Sequence, residues 1–404
     1  MKKVALFFVF IFAVGFAFSQ PDVVNAYNYH NSGKLDKAKA SIDKAIVNPK
    51  AMNEAKTWFY RGNIYIDIYR SPDSVFHNLD PEALYKAYEA YNKATELDVK
   101  KQYQLEIIQR MPIVAEGFFN YGANKYNKGM TAMTANDTVQ GVMQFADAVK
   151  AFENAYGIYE ISGRIDTATI YYISVAAELG QDYGKAKSSL TKLIEMNYPE
   201  PAVYASLGNI YYKHDKDVTK ALYYFSEGRK KYPSDLNLVL NETNIYLAEG
   251  ETEKALENLK IAAEIDKTNP TVFFAIGAKY NEIADDTLRA AQMREDAFLN
   301  AAEAYKKSVE LKPDYFDPNY NMGALYVNKA ASLIDLANKL PLSEQKEYDR
   351  LKKEADDFLA ISLPYLEKAL ELQPTDQSTL VSLKEIYTRL NMMDKLKEVN
   401  AKLE

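Results

Sequence analysis

Small and apolar side chains recur along this chain in a helical beat: a small residue, a large apolar residue four positions on, and a second small or compact residue three further. Ala87/Tyr91/Ala94, Ala148/Phe152/Ala155, Ala221/Phe225/Gly228, Ala255/Leu259/Ala262 and Ala301/Tyr305/Ser308 are the clearest copies. Ala38/Ile42/Ala45, Ala186/Leu190/Leu193 and Ser362/Leu366/Ala369 are looser ones. Spacings of four and three place the three side chains on one helical face. Small residues there admit a neighbouring helix, and the large one fills the groove between two helices. The beat predicts a core assembled locally, unit by unit.

A second helical pattern precedes most copies: an aromatic or apolar residue, then Gly or a small residue, then Tyr three positions on. Trp58/Arg61/Gly62/Tyr65, Tyr204/Leu207/Gly208/Tyr211, Phe273/Ile276/Gly277/Tyr280 and Tyr320/Met322/Gly323/Tyr326 show it most plainly, with Tyr121-Gly122 and Thr243/Tyr246 weaker. Proline follows the second helix in most units, at Pro49, Pro199, Pro233, Pro270, Pro313 and Pro374, where it stops one helix and starts the next hairpin.

These positions resemble the tetratricopeptide repeat, whose 34-residue period carries W-x2-L-G-x2-Y, then A-x3-F, then P. The spacings between Ala186, Ala221 and Ala255 are 35 and 34, and the match is most specific over residues 200–275. The resemblance covers nearly everything from Val23 onward. It implies an all-α, right-handed α-solenoid of eight to nine hairpins whose first helices line a concave groove.

Longer spacings mark four insertions. Ser71–Asp80 and Thr131–Gln140 are rich in Ser, Asp, Asn and Thr and read as loops. Ala284–Asn300 and Leu333–Phe358 keep helical spacing and read as lengthened helices, where the solenoid should bulge. The segment 378–403 reads as a last first helix and a closing helix, a terminal cap. The expected organisation is irregular hairpins over 20–166, regular ones over 167–275, and extended hairpins with the cap over 276–404.

The first twenty residues differ from the rest. Met1-Lys2-Lys3 is basic, Val4 to Phe18 is apolar and uncharged, and Ala17-Phe18-Ser19 offers small residues at −3 and −1. This predicts a secretory signal peptide over 1–19, since a fifteen-residue core is short of the ~20 needed to span a bilayer. No later segment is apolar enough to span a membrane. The expectation is an exported bacterial protein, periplasmic or associated with the outer envelope. The absence of cysteine removes disulfides, thiol catalysis and a lipidated cysteine, so a lipoprotein is not expected.

With 48% hydrophobic and 26% charged residues, the 404-residue chain has ample material for a core. A formal charge of −7 without a basic patch argues against nucleic acid as a partner. His30, His77 and His214 form no zinc-ligand pattern. Asp285-Asp286 and Asp356-Asp357 read as solvated faces, and Asp215-Lys216-Asp217 lacks the rest of a calcium loop. Gly122 to Gly129 is not a phosphate loop. No catalytic set, cofactor or metal is expected. Tyrosine is in excess at 32 residues, and at Tyr65, Tyr211, Tyr246, Tyr280 and Tyr326 it reads as seam packing with the hydroxyl at an edge.

Aligning Gly62, Gly208, Thr243, Gly277 and Gly323 as one repeat position places Phe59, Asn63, Asn209, Tyr212, Asn241, Asn244, Phe274, Asn281 and Tyr320 in the groove. Ala205, Asn237 and Leu240 join them. Asparagine can bond an extended peptide backbone, and flat rings cover apolar side chains. Some family members grip a C-terminal carboxylate with two Asn and several cations. Here Asn63/Asn120 and Asn209/Asn241 fall on the Asn positions, but Phe59, Ala205, Ala168, Tyr172, Thr271 and Ala275 replace the cations. Such a clamp is therefore not expected. Glu242 stands where an apolar residue is usual, which leaves the register around Asn241 and Asn244 open. The expected function is a noncatalytic scaffold that binds another protein or a peptide in its groove. The alternative is glycan capture, as in outer-membrane nutrient-binding proteins that contain such repeats.

Overall fold

The computed structural model describes residues 20–403, all of whose regular elements are helical. The signal-peptide assignment, 1–19, lies outside them. Among the described residues the helices form nine antiparallel hairpins. Contacts divide the chain into two compact units, one ending at Tyr198 and the other starting at Pro199. That boundary falls inside the span expected to be the regular array.

The first unit holds four hairpins. These are α1 (Pro21–Asn31) with α2 (Leu35–Ala45), and α3 (Ala55–Arg70) with α5 (Ala83–Leu97), the latter pair separated by a single-turn α4 (Ser74–His77). Then come α6 (Gln104–Thr134) with α7 (Thr138–Ile161), and α8 (Thr167–Leu179) with α9 (Tyr183–Glu195). The second unit holds five. They are α10 (Ala202–Ile210) with α11 (Val218–Lys231), α12 (Leu236–Ala248) with α13 (Thr252–Ile265), and α14 (Pro270–Asp285) with α15 (Ala291–Leu311). They continue with α16 (Phe316–Asn338) and α17 (Gln345–Leu372), and close with α18 (Gln377–Arg389) and α19 (Met393–Leu403). The last pair is the two-helix ending that the sequence predicts.

Helix starts follow the capping rules. Asp137, Asp166, Asp182, Asp217, Asp235 and Asp376 each accept a hydrogen bond from a backbone amide of the first turn, satisfying a donor the helix leaves open. Six of the nine hairpin turns place one residue in the left-handed region. Gly33 and Gly250 supply it without strain, while Asn136, Gln181, Lys216 and Asn391 adopt it despite their side chains. Before Lys216 the chain widens into a π-helical turn, Tyr211–Asp215.

The two sequence patterns meet in the hairpin seams. A Cβ added to Gly62 would lie 2.5 Å from the Tyr91 ring, and one on Gly277 2.5 Å from Tyr305. The corresponding distances are 2.8 Å for Gly122 to Phe152, 2.7 Å for Gly208 to Phe225 and 2.5 Å for Gly323 to Leu366. All five large side chains are fully buried. Each hairpin of this kind therefore locks a ring or Leu of its second helix against bare backbone of its first.

One predicted loop is not a loop. Of Thr131–Gln140, only three residues between α6 and α7 are not helical. Its polar residues are satisfied inside helices: the Thr131 and Thr134 hydroxyls donate to the carbonyls four residues back, and Asp137 caps α7. The extra length extends the hairpin by two turns, and Gly129 there meets Phe145 as Gly122 meets Phe152. Ser71–Asp80 is only partly loop, since it contains α4 and ends on a buried Asp80 that pairs with Lys86 at 2.7 Å. The two segments expected to lengthen helices do so: α15 has 21 residues, α16 has 23 and α17 has 28.

Candidate partner-binding faces

In the first unit, α1, α3 and α6 are successive first helices tied directly to one another. The His30 ring bonds Asp67 at 2.8 Å, and the Tyr69 hydroxyl donates to the Gly117 carbonyl at 3.1 Å. Two rows cross them. The first is aromatic: Tyr27 stacks on Tyr60 with centroids 4.9 Å apart, and Phe59, beside Tyr60, stacks on Tyr103 at 4.8 Å. The second is charged: Asp67 holds His30 on one side and Arg110, at 3.8 Å, on the other. Tyr60 precedes Asp67 by seven residues, as Tyr103 precedes Arg110, so the rows share a helical face two turns apart.

Burial raises the Tyr60 and Tyr103 phenols above their usual range, and nearby groups add to it. For Tyr60 these are Tyr103, Tyr27 and Glu106; for Tyr103 they are Asp98, Glu106 and Glu54.

The same geometry corrects two expected site residues. Phe59 is 3% exposed because Tyr103 covers it. Asn63 is 8% exposed, and its side-chain oxygen accepts from the buried Tyr91 hydroxyl at 2.7 Å. Neither is open to a partner. The repeat alignment places both on the right helix, but the long α6 and its lead-in cover one, and satisfying a buried phenol occupies the other.

In the second unit the remaining expected residues lie on first helices or, for Tyr212, in the π-helical turn after α10, and are at least partly accessible. Asn209 and Tyr212 are half-buried, and Asn244 and Asn237 are exposed. The Asn241 amide donates to the Asn237 carbonyl at 2.8 Å, and the Asn281 amide donates to Asp285 at 3.0 Å. Both asparagines are half-occupied by their own helix. Phe274 lies 5.6 Å from Tyr315, and Tyr320 stacks on Phe316 at 5.9 Å. The adjacent Tyr315 and Phe316 thus join two expected residues into one aromatic strip. Those two, and Tyr27, Tyr60 and Tyr103, precede helices or fall off the aligned repeat position, so their aromatic character is the one signal of them in the sequence.

Glu242 settles the register that the sequence leaves open. It is 6% exposed, forms an ion pair with Arg229 of α11, accepts from the Asn258 amide of α13 at 3.0 Å, and receives the Tyr246 hydroxyl at 3.4 Å. Asn258 also accepts from Arg229 at 2.8 Å. Position 242 thus points into the hairpin stack as its repeat position requires, with polar partners in place of apolar ones.

A comparable network lies in the first unit, where Asp43 of α2 pairs with Arg61 of α3 and accepts from the Tyr65 hydroxyl at 2.8 Å and from Lys39 at 3.1 Å. Burial alone would raise the Asp43 pKa, but Tyr65, Lys39 and Arg61 together hold it below the ordinary carboxylate range. A depressed folded pKa contributes stability above the unfolded carboxylate value, and that stability is lost as pH falls through the folded value. Asp43→Asn should therefore lower stability at neutral pH by on the order of 1 kcal/mol. Urea unfolding at a series of pH values should show the gap from wild type persisting through the ordinary carboxylate range and closing only as pH falls through the lowered Asp43 value.

Two open clefts lie between successive second helices. One, of about 540 Å³, opens between α13 and α15 over Phe273, Ile276 and Tyr280 of α14. The other, of about 630 Å³, opens between α5 and α7 and reaches Tyr121 of α6. No group of three or more His, Asp or Glu among the described residues is placed to hold a metal ion. No helix among them is long and apolar enough to cross a membrane.

No protein-family model matches the chain, and no curated protein does. Solved structures similar to it include a MamA fragment (41-end) from Desulfovibrio magneticus, at 14% identity over 52% of this chain and 97% of that one, with a TM-score of 0.36. Another is YrrB, a TPR protein with an unusual peptide-binding site, at 16% identity over 57% and 95%, with a TM-score of 0.34. A third is a thermophilic TPR protein from Thermus thermophilus, at 16% over 50% and 98%, with a TM-score of 0.30.

Proposed function

We propose that this protein is a noncatalytic interaction scaffold of the bacterial envelope, exported by the N-terminal segment, which engages another protein through its first-helix faces. The observation that carries this reading is the continuous face across α1, α3 and α6, where stacked rings and a charged row lie side by side. Such a face offers apolar area and directional polar groups over three helices, which suits an extended segment or loop of a partner. In the second unit Asn209, Tyr212, Asn241, Asn244, Phe274, Asn281 and Tyr320 supply a face of similar chemistry.

Photo-crosslinking in cells tests this. A crosslinking residue at Tyr27 or Tyr320 should capture a discrete partner, and one at Glu303, in the cleft between α13 and α15, should not. Capture of the same proteins from all three positions, or of none, would count against the scaffold. Recovery of the processed chain from the periplasmic fraction tests its export.

A further inference from the structure

The aromatic row of the first unit carries information about what lies on it. Tyr27 is 42% exposed, and its stacked neighbour Tyr60 is half-buried, so rings are presented at the surface rather than sealed inside. Carboxylates flank them. Glu54 stands at the start of α3 without capping it, and Glu106 lies in the first turn of α6, three residues after Tyr103. Both are exposed, and neither is in an ion pair among the described residues. Asp98 accepts the backbone amides of Gln102 and Tyr103 at 2.8 and 2.6 Å, which adds a third negative charge beside the row. The row already accommodates a cation, since the Lys56 ammonium lies 5.5 Å from the Tyr60 centroid.

Electron-rich ring faces and uncompensated carboxylates are both complementary to guanidinium or ammonium groups. A compact ligand would meet one ring. The row instead runs from α1 across α3 to the residue that precedes α6, a span that an extended chain covers.

We propose that this row seats an extended, arginine- or lysine-bearing segment of a partner protein, with its cations over Tyr27, Tyr60 and Tyr103 and directed to Glu54 and Glu106. The inference rests on the scaffold reading and names the chemistry of the partner. It also assigns the Asp67, His30 and Arg110 row to the polar side of the same segment.

The test uses the full mature chain and a fluorescent synthetic peptide of alternating arginine and proline, with a glutamate-for-arginine counterpart. The arginine peptide should bind and the glutamate peptide should not, and added salt should weaken binding. Glu54→Gln with Glu106→Gln should weaken it about tenfold with an unchanged thermal melt. Tyr60→Leu, which keeps an apolar side chain, should cost about fivefold more. Equal binding of both peptides, indifference to the double substitution, or displacement by a neutral oligosaccharide would each overturn the proposal. Crosslinking at Tyr27 separates the two failures. A captured partner with no arginine-peptide binding overturns the cationic chemistry and leaves the scaffold, whereas no capture at Tyr27 or Tyr320 removes both.

Discussion

Phe225→Ala should lower the unfolding free energy by roughly 4 kcal/mol, the cost of deleting a fully buried aromatic ring from a packed seam. Phe225 has no exposed surface, and its ring tip sits where a Cβ on Gly208 would be, 2.7 Å away. The backbone of α10 cannot move into the space, because Tyr204 and Leu207 on the same helix are themselves buried. Gly208→Ala approaches the same contact from the other side and should cost about 1 to 3 kcal/mol through overpacking. The two effects are coupled: in a Phe225→Leu background, Gly208→Ala should cost clearly less than alone. Urea unfolding of the four chains measures this, and additive costs would show that ring and glycine do not act as one contact. Because each hairpin meets mainly its neighbours, amide exchange should rise first in α10 and α11.

The second large effect is expected at Arg229. Arg229→Met leaves Glu242 buried, 6% exposed, with only Asn258 and Tyr246 as partners, and should destabilise by about 3 kcal/mol or more. Replacing the three buried partners, Arg229→Met with Glu242→Leu and Asn258→Leu, leaves only the half-buried Tyr246 hydroxyl without its acceptor and should recover most of the loss. Thermal melts of the single and triple variants decide it. A triple variant no more stable than the single would mean that apolar side chains cannot fill the space, and that the network sets the packing of α11, α12 and α13.

Where the structure departs from the sequence expectation, polar side chains have found partners within the chain. Thr131–Gln140 has turn composition, yet Thr hydroxyls that bond back along α6 and an Asp that caps α7 use those residues without a loop. Gly129 against Phe145 was a readable clue, since it repeats the pair Gly122 and Phe152 seven residues away. Asn63 is on the aligned position but is consumed by the Tyr91 hydroxyl. Glu242 reads as a break in register from sequence and is instead a substitution of one buried chemistry for another.

By itself the sequence determined the helical hairpins, their number as eight to nine, the residues that knit most of the seams and the lengthened helices near the C-terminus. These depend on contacts made within one hairpin, whose spacing of three, four and seven residues is written along the chain. The tertiary structure alone decided which outward residues stay open, which buried charges find partners, and that Tyr27, Tyr60 and Tyr103 form one row. Those outcomes depend on side chains distant in sequence, within a hairpin for Asn63 and Tyr91 and between hairpins for Phe59 and Tyr103, meeting at separations no local period specifies. The structure accordingly buries Phe59 and Asn63, two residues expected in the groove, and leaves the carboxylates of Glu54 and Glu106 exposed beside the proposed partner-binding row.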